Sequence, residues 1–340
     1  MPRGAGSRCD AARCASRSVI RRRARLRSGG RVIAPARLRA VACILALALL
    51  GGACQPRFAV DGARAFKRVE RQVAAGPRIP GSPGHDSIRV WIEDELAELG
   101  AKVEVQTFID STLGRPIEMA NLIGHYGPES GRRLALVAHW DSRPWADEDP
   151  DSARHNQPVP GANDGASGVA VLLEVAELLK VRAPAVGIDL VFVDAEDLGT
   201  RKNPEGFCRG AKEFVRRMLA GAAPRVSAAF VFDMVGDRSL EIHPEVRAAH
   251  DAANLVQLVL DAAHATGGTH FASDPRHDLY DDHVPFLDAG IPAVDIIDFD
   301  YPAWHTVSDT PDRVSAASLA EVAAVAAWIV YESPIAHPQR

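Results

Sequence analysis

Four apolar runs, each followed by an acid or a histidine, are the feature that most restricts the fold of this chain. They are residues 134–138 before His139, 188–193 before Asp194, 228–232 before Asp233 and 293–297 before Asp298. Runs of this length predict strands that are buried on both faces, as in a parallel sheet covered by helices. Helical patterns lie between and after them, at residues 167–180, 208–219, 246–265 and 316–331. The alternation of strands and helices predicts an α/β fold.

The predicted architecture is a three-layer α/β/α sandwich, with a mostly parallel, mixed central sheet and helices on both faces. A helical pattern at residues 87–99 and two β-rich runs at 103–108 and 121–126 precede the apolar strands. Apolar residues make up 47% of the composition, which is enough for a large core. Because residues 55–340 contain no repeat or long low-complexity linker, we expect them to form a single domain.

Residues 1–53 differ in composition from the rest of the chain. They contain 12 arginines and one acid, whereas the remaining residues carry 43 acidic and 27 basic side chains. The arginines precede an apolar run at residues 40–53, which is shorter than the roughly 20 residues that span a bilayer. This pattern predicts an export signal. The acidic remainder lacks the clustered cations that phosphate contacts need, so we expect no nucleic-acid partner.

The end of the apolar run, Leu50-Gly51-Gly52-Ala53-Cys54, resembles the lipobox of bacterial lipoproteins. The resemblance implies that Cys54 carries a lipid and anchors an exported, cell-envelope protein to a membrane, on the periplasmic or outer surface. Secretion without a lipid and an uncleaved anchor are the alternatives. The other cysteine beyond the signal is Cys208, so we expect no internal disulfide and interpret Cys208 as a small buried hydrophobe.

Polar side chains are concentrated where the predicted strands end. His139-Trp140-Asp141, Asp194–Asp197 and Asp233 follow three of the strands, and residues 161–168 (GANDGASG) lead into a helix. Later loops contribute residues 281–283 (DDH) and 304–306 (WHT). Ligands of open α/β sheets bind beyond the carboxyl ends of the strands, so we expect these side chains to lie together. Histidine and carboxylate side chains form a ligand set suited to zinc.

These motifs, in this order and spacing, resemble those of the zinc-dependent family that includes bacterial leucyl-type aminopeptidases and animal-type glutaminyl-peptide cyclotransferases. The resemblance begins near residues 76–82 (GPRIPGS) and reaches the last predicted helix. It implies that Asp164, Asp197 and His305 bind zinc. In the two-zinc aminopeptidases, Asp164 would bridge the metals, and His139 and Asp233 would complete the second site.

The same resemblance implies roles for the remaining candidates. Glu196 would be the general acid/base, and Asp141 would orient the imidazole of His139. In the cyclotransferases, Asp282 and Asp233 would share protons with Glu196. The indole of Trp304 would form a wall of the substrate pocket. Many members of the family carry glutamate at position 197, where this chain has a shorter aspartate.

Two activities are consistent with the resemblance. The Trp304-His305 pair and residues 281–286 (DDHVPF) favour a cyclotransferase with one zinc ion, which converts N-terminal glutaminyl residues of peptides to pyroglutamyl and releases ammonia. Residues 161–168 resemble the aminopeptidases more closely, and residues 198–205 lack a tryptophan that animal cyclotransferases carry. The alternative is therefore an aminopeptidase with two zinc ions. A metal-free binding ectodomain is the third hypothesis, and the complete set of candidate ligands argues against it.

Overall fold

A six-stranded sheet forms the centre of the structure, a computed structural model that describes residues 58–337. The strand order is β1-β2-β4-β3-β5-β6. The strands are β1 (Lys102–Asp110), β2 (Ile117–Tyr126), β3 (Arg133–His139), β4 (Gly187–Val193), β5 (Ala228–Asp233) and β6 (Ala293–Ile297). The predicted export signal and Cys54 lie outside the described residues, and the predicted domain boundary at residues 53–55 stays a prediction.

The sheet is mixed, with its parallel part at the centre and one edge. Strands β3 and β4, β3 and β5, and β5 and β6 pair in parallel, whereas β1 and β2, and β2 and β4, pair antiparallel. Every residue of β3 and β4 is buried. The four apolar runs are therefore the parallel strands, as their composition predicts, and their carboxyl ends meet at one edge of the sheet.

Helices cover both faces of this sheet. They are α1 (Gly62–Ala74), α2 (Pro83–Glu98), α3 (Ala166–Val181), α4 (Arg209–Leu219), α5 (Val246–Asp251), α6 (Ala253–Thr266), α7 (His283–Asp288) and α8 (Ala316–Tyr331). Helices α1, α2, α3, α6 and α8 share one apolar core with the sheet, and α4 and α7 share a second core on the opposite face. The predicted three-layer α/β/α arrangement is confirmed.

Three helical features differ from the prediction. Helices α1 and α7 are present although the sequence analysis did not predict them. The helix predicted over residues 246–265 is two helices, because the backbone of Ala252 leaves the helical region at φ −134° and ψ 35°. Apolar spacing continues across that break, so periodicity could not locate it. None of the helices within residues 58–337 is long and apolar enough to cross a membrane.

Buried ion pairs stabilise the part of the sheet farthest from the polar strand ends. Nε and Nη2 of Arg133, at the amino end of β3, donate to the carboxylate of Asp189 near the start of β4, and the bond from Nε to Oδ2 is 2.9 Å long. Both side chains are almost fully buried. Breaking such a pair by removing one partner typically costs about 3–5 kcal/mol. The Arg133–Asp189 ion pair therefore stabilises the amino ends of β3 and β4.

Candidate functional site

Five segments bring polar side chains to the carboxyl edge of the sheet. His139 is the last residue of β3, and Asp233 is the last residue of β5. Glu196 and Asp197 follow β4, and Asp164 lies just before α3. A loop between β6 and α8 adds His305. The structure therefore brings together the residues that the strand-end rule predicts.

Asp164 lies between two histidines. Its Oδ1 is 3.2 Å from Nε2 of His139, and its Oδ2 is 3.7 Å from Nε2 of His305. Nε2 of His139 is also 3.1 Å from Oδ1 of Asp233, and Nε2 of His305 is 3.3 Å from Oδ1 of Asp197. Two sets of possible ligands result, each with its ligand atoms within 4.8 Å of one another and with Asp164 in both.

The carboxylate of Asp141 connects the two strands that carry these ligands. Its Oδ1 lies 3.4 Å from Nδ1 of His139, and its two oxygens accept hydrogen bonds from the backbone N–H groups of Glu196 and Asp197 at 3.1 and 3.3 Å. Asp141 is fully buried. A carboxylate against the far nitrogen of a metal-binding imidazole fixes its orientation and tautomer, so this position fits the predicted orienting role.

Arg143 holds Asp197, and sequence reasoning missed it. Its Nη1 donates to Oδ1 of Asp197 at 2.6 Å, and its Nε and Nη2 donate to the carboxylate of Asp147 at 2.6 and 2.7 Å. Oδ1 of Asp147 is in turn 3.6 Å from Nδ1 of His305. Although burial acts to raise the pKa of Asp197, His305 and Arg143 outweigh it and lower that pKa to about 2.

The electrostatic environment of Glu196 differs from that of the adjacent Asp197. Burial and the charges of Asp197 and Asp281 raise the pKa of Glu196 well above its ordinary value. The thiol of Cys208, which is fully buried as predicted, donates to Oε1 of Glu196 across 3.6 Å. The preceding residue, Ala195, has a φ of +57°. Left-handed backbone at a non-glycine residue is strained and often occurs at functional sites.

Burial and neighbouring carboxylates also act on Asp233. Burial and the charges of Asp164 and Asp281 raise the pKa of Asp233 to about 7, although His139 acts in the opposite direction. A carboxyl group with that pKa can hold or release a proton near neutral pH. Asp233 therefore has two possible uses, as a ligand beside His139 or as a member of a proton-sharing group.

The two adjacent acids before α7 face different surroundings. Asp281 lines the pocket, with a carboxylate oxygen within 4.8 Å of a carboxylate oxygen of Glu196 and of the sulfur of Cys208. Asp282 does not line the pocket but is buried, and neither of its side-chain oxygens has a hydrogen-bond partner among the described residues. Burial and the charge of Asp281 raise the pKa of Asp282 well above its ordinary value. The sequence analysis assigned the proton sharing with Glu196 to Asp282, whereas in the structure Asp281 is the acid that lines the pocket beside Glu196. The role of Asp282 stays a prediction.

A pocket of about 180 Å³ opens beside these residues. The ring of Trp304 stacks on that of His305, with centroids 3.9 Å apart, and packs against Phe299 at 4.9 Å. The lining therefore combines aromatic and aliphatic side chains with carboxylates. The apolar lining residues are Phe207, Met234, Leu279, Tyr280, Ile297, Phe299 and Trp304.

Asp309 is a second residue that sequence reasoning missed. Its carboxylate accepts the backbone N–H of Asn163 at 2.8 Å and that of Asp164 at 3.1 Å, and also the hydroxyl of Tyr301 at 2.7 Å. Asp309 thus fixes the loop that carries the shared ligand. It is 145 residues from Asp164 along the chain, and no local motif indicates that contact.

The donor set fits a divalent metal ion. Imidazole nitrogens and carboxylate oxygens are the ligands that zinc takes in catalytic sites. Oδ2 of Asp197 is buried and has no hydrogen-bond partner among the described residues, which is a costly state for a carboxylate oxygen unless a cation faces it. Both sets can therefore hold a metal.

Residues 121–330 match peptidase family M28. The chain belongs to this family. The family predicted from the motifs is confirmed, and so is the prediction that the chain is an enzyme.

This M28 member is similar to proteins with two kinds of described activity. It is 28% identical over 259 residues to a glutaminyl-peptide cyclotransferase-like protein of Bos taurus; the match covers 68% of this chain and 66% of that one, just under two thirds of its length. The glutaminyl cyclase of Bacteroides thetaiotaomicron, solved with N-acetylhistamine, is 34% identical, with a TM-score of 0.77 over 81% of this chain and 98% of that one. A Zn-dependent exopeptidase of Parabacteroides distasonis is 33% identical, with a TM-score of 0.76 over 81% and 99%.

Proposed function

We propose that this chain is a zinc-dependent glutaminyl-peptide cyclotransferase, which converts N-terminal glutaminyl residues to pyroglutamyl and releases ammonia. The observation that carries the proposal is the small pocket in which Trp304 stacks on His305 and Glu196 lies among the lining residues. Intramolecular attack gains from a site that holds one residue folded and keeps water away. The similarity to bacterial glutaminyl cyclases supports the same activity.

Zinc is the metal that the similar Zn-dependent exopeptidase and the donor set support. Asp164, Asp197 and His305 would hold one ion, and His139 and Asp233 would join Asp164 if a second ion binds. A bound zinc ion would polarise the side-chain carbonyl of the substrate and stabilise the negative charge that develops on its oxygen.

Glu196 would transfer the proton. It accepts a proton from the α-amine of the substrate, and the amine nitrogen then forms a bond to the carbon of the side-chain amide. The bond between that carbon and the amide nitrogen breaks, and Glu196 returns the proton to the leaving nitrogen, so that ammonia departs. A raised pKa fits a carboxylate that must both accept and return a proton. Asp233, Asp281 and Asp282 would share protons with Glu196 in one buried group of carboxylates.

Hydrolysis by a two-zinc aminopeptidase is the second candidate function. The observation that favours it is the position of Asp164, which presents one oxygen to His139 and the other to His305. A carboxylate in this position suits a bridge between two metal ions. Glu196 would then accept a proton from the attacking water rather than from the substrate's amine.

The substrate and the location are also proposals. The substrates would be free N-termini of peptides. The lipobox-like sequence ending at Cys54 supports export and a lipid anchor in the cell envelope. Metabolic labelling with a radioactive fatty acid tests the anchor, since Cys54→Ala should abolish labelling if Cys54 is the acceptor.

The function is tested with the full chain loaded with zinc. The chain is incubated with Gln-Ala-Ala and Leu-Ala-Ala, and the products are identified by mass spectrometry. A cyclotransferase removes one ammonia from Gln-Ala-Ala and leaves Leu-Ala-Ala intact. Release of free leucine would make the chain an aminopeptidase. A zinc-loaded chain that changes neither peptide would contradict both activities.

A further inference from the structure

The pocket has room for one residue of a peptide. Its volume of about 180 Å³ lies below the 300–1,000 Å³ that is typical of sites for drug-sized ligands. A glutaminyl side chain that reaches the candidate metal ligands occupies this space. The second residue of the substrate must therefore lie on the rim.

The positions of Glu196 and Asp281 indicate on which side of the pocket the rest of the substrate peptide lies. In the proposed reaction, the α-amine lies against Glu196 and Asp281. The same α-carbon that carries this amine also carries the carbonyl that leads to the second residue. Tyr280 and Asp278 line the pocket together with Asp281, so the proposed pose puts the second residue of the substrate beside them.

Tyr280 presents an apolar surface beside the pocket. Its side chain is 52% exposed, and of the large hydrophobic residues that are exposed within residues 58–337, Tyr280 is the one that lines the pocket. An exposed aromatic ring beside a site offers a ligand a large contact area at a low cost in conformational entropy.

A cation–π contact holds the ring of Tyr280 in place. Nζ of Lys212 lies 5.2 Å from the ring centroid, and the same ammonium donates to the backbone carbonyl of Phe207 at 2.9 Å and to that of Glu205 at 3.3 Å. Phe207 lines the pocket. Lys212 therefore connects the loop before α4 to the loop before α7, and a cation–π contact fixes the ring without covering its exposed surface.

We infer that Tyr280 forms a binding subsite for the second residue of the substrate, and that this subsite selects peptides with an aromatic residue at that position. The inference rests on the proposed function. Contact between two aromatic rings adds about threefold to tenfold to a rate or an affinity. The gain belongs to substrate binding, so it acts mainly on KM.

The test compares kcat/KM for Gln-Phe-Ala and Gln-Gly-Ala, with the full chain loaded with zinc. The wild type should favour Gln-Phe-Ala, and Tyr280→Ala should lower the ratio of the two values by about threefold to tenfold, mainly through KM. Tyr280→Phe should restore the ratio because the ring alone makes the contact. Leu219→Ala, which removes a side chain of similar exposure (51%) outside the pocket, is the matched control and should leave the ratio unchanged.

Two results would overturn the inference: a wild-type ratio near one, or an equal loss for both peptides in Tyr280→Ala. Failure of the proposed function is read separately, from the release of ammonia by the wild type. If the wild type hydrolyses peptides instead, the ratio is measured with Leu-Phe-Ala and Leu-Gly-Ala. If it does neither, the dissociation constants of the two glutaminyl peptides give the ratio.

Discussion

Glu196 and Asp197 are adjacent in the chain, yet their surroundings give them opposite proton affinities. Burial and nearby carboxylates raise the pKa of Glu196, whereas His305 and Arg143 lower that of Asp197 to about 2. Asp197 therefore stays ionised and suits a cation, and Glu196 suits proton transfer. The backbone hydrogen bonds to Asp141 fix both residues at the end of β4.

Glu196→Gln tests this division of roles. The amide keeps the shape of the side chain but cannot accept the proton, so we expect kcat to fall by about 10²- to 10⁴-fold while zinc content is unchanged. Zinc is measured by atomic emission on the same sample, and His305→Ala, which removes a candidate ligand, is the control that should lose zinc. Full turnover by Glu196→Gln would remove Glu196 from the proton transfer.

Arg143→Gln tests whether the guanidinium positions the ligands. Arg143 contacts Asp197 directly, and its partner Asp147 lies beside His305, so its loss should lower zinc affinity by about 10- to 100-fold. Zinc affinity is measured by competition with a chelator. Arg143→Lys keeps the positive charge but loses the planar guanidinium. Its zinc affinity should therefore lie between those of the wild type and Arg143→Gln.

Arg133→Gln is the matched control for that experiment. Arg133 is equally buried and paired, but at the opposite end of β3. It should lower the free energy of unfolding by about 3–5 kcal/mol and leave zinc affinity unchanged. An equal loss of zinc affinity in both variants would mean that Arg143 acts only through stability.

Part of the site was predictable from residues that stand next to strand ends. His139, Asp164, Glu196, Asp197 and Asp233 each follow a strand or precede a helix in a recognisable motif, and the structure brings them together. The missed residues act through long-range contacts. Arg143 and Asp309 bind ligand segments 54 and 145 residues away, and single-sequence patterns carry no information about such pairs.

Helix α3 depends on a glycine at its start. Gly165 has a φ of +88°, and a Cβ there would lie 2.4 Å from the carbonyl oxygen of Asp141. Gly165→Ala should therefore destabilise the chain both by backbone strain and by steric overlap, and it should move Asp164.

Comparison with Gly100→Ala separates the loss of stability caused by steric overlap from the loss caused by backbone strain. Gly100 has a similar φ of +83°, but a Cβ there meets nothing within 4 Å, so its substitution should cost about 1–2 kcal/mol. Urea unfolding of both variants gives the difference. Gly165→Ala should lose more stability than Gly100→Ala, and equal losses would show that the loop can relax around Asp141.

The elements of the fold were predictable to different degrees. Short, continuous apolar runs predict buried parallel strands well. Strand β6, for example, has the predicted bounds. Helix α7 is only six residues long, too short for a periodic pattern. In α1 the apolar spacing is weak, because Arg68 and Gln72 are among its buried residues. Arg68 donates to Glu174 of α3 at 2.6 Å, and that pairing replaces part of the apolar contact.

At the scale of the whole molecule, metal binding should couple the site to global stability. The candidate ligands come from strands β3 and β5 and from three loops, so an ion bound to them connects segments that separate on unfolding. At a zinc concentration 100 times Kd, binding contributes about 2.7 kcal/mol. We expect chelation to lower Tm by roughly 5–10 °C. His305→Ala should show a smaller drop, and an unchanged wild-type Tm would argue against metal binding in the native state.

The Arg133–Asp189 pair and the candidate site occupy opposite ends of the same strands, and this separation affects how the chain can evolve. A substitution near Arg133 alters the folding equilibrium without displacing any group that faces a substrate. A substitution at the other end alters chemistry while the pairing that holds the strands together persists. Descendants of such a sequence can therefore acquire new substrate preferences, or tolerate a warmer habitat, through independent sets of mutations.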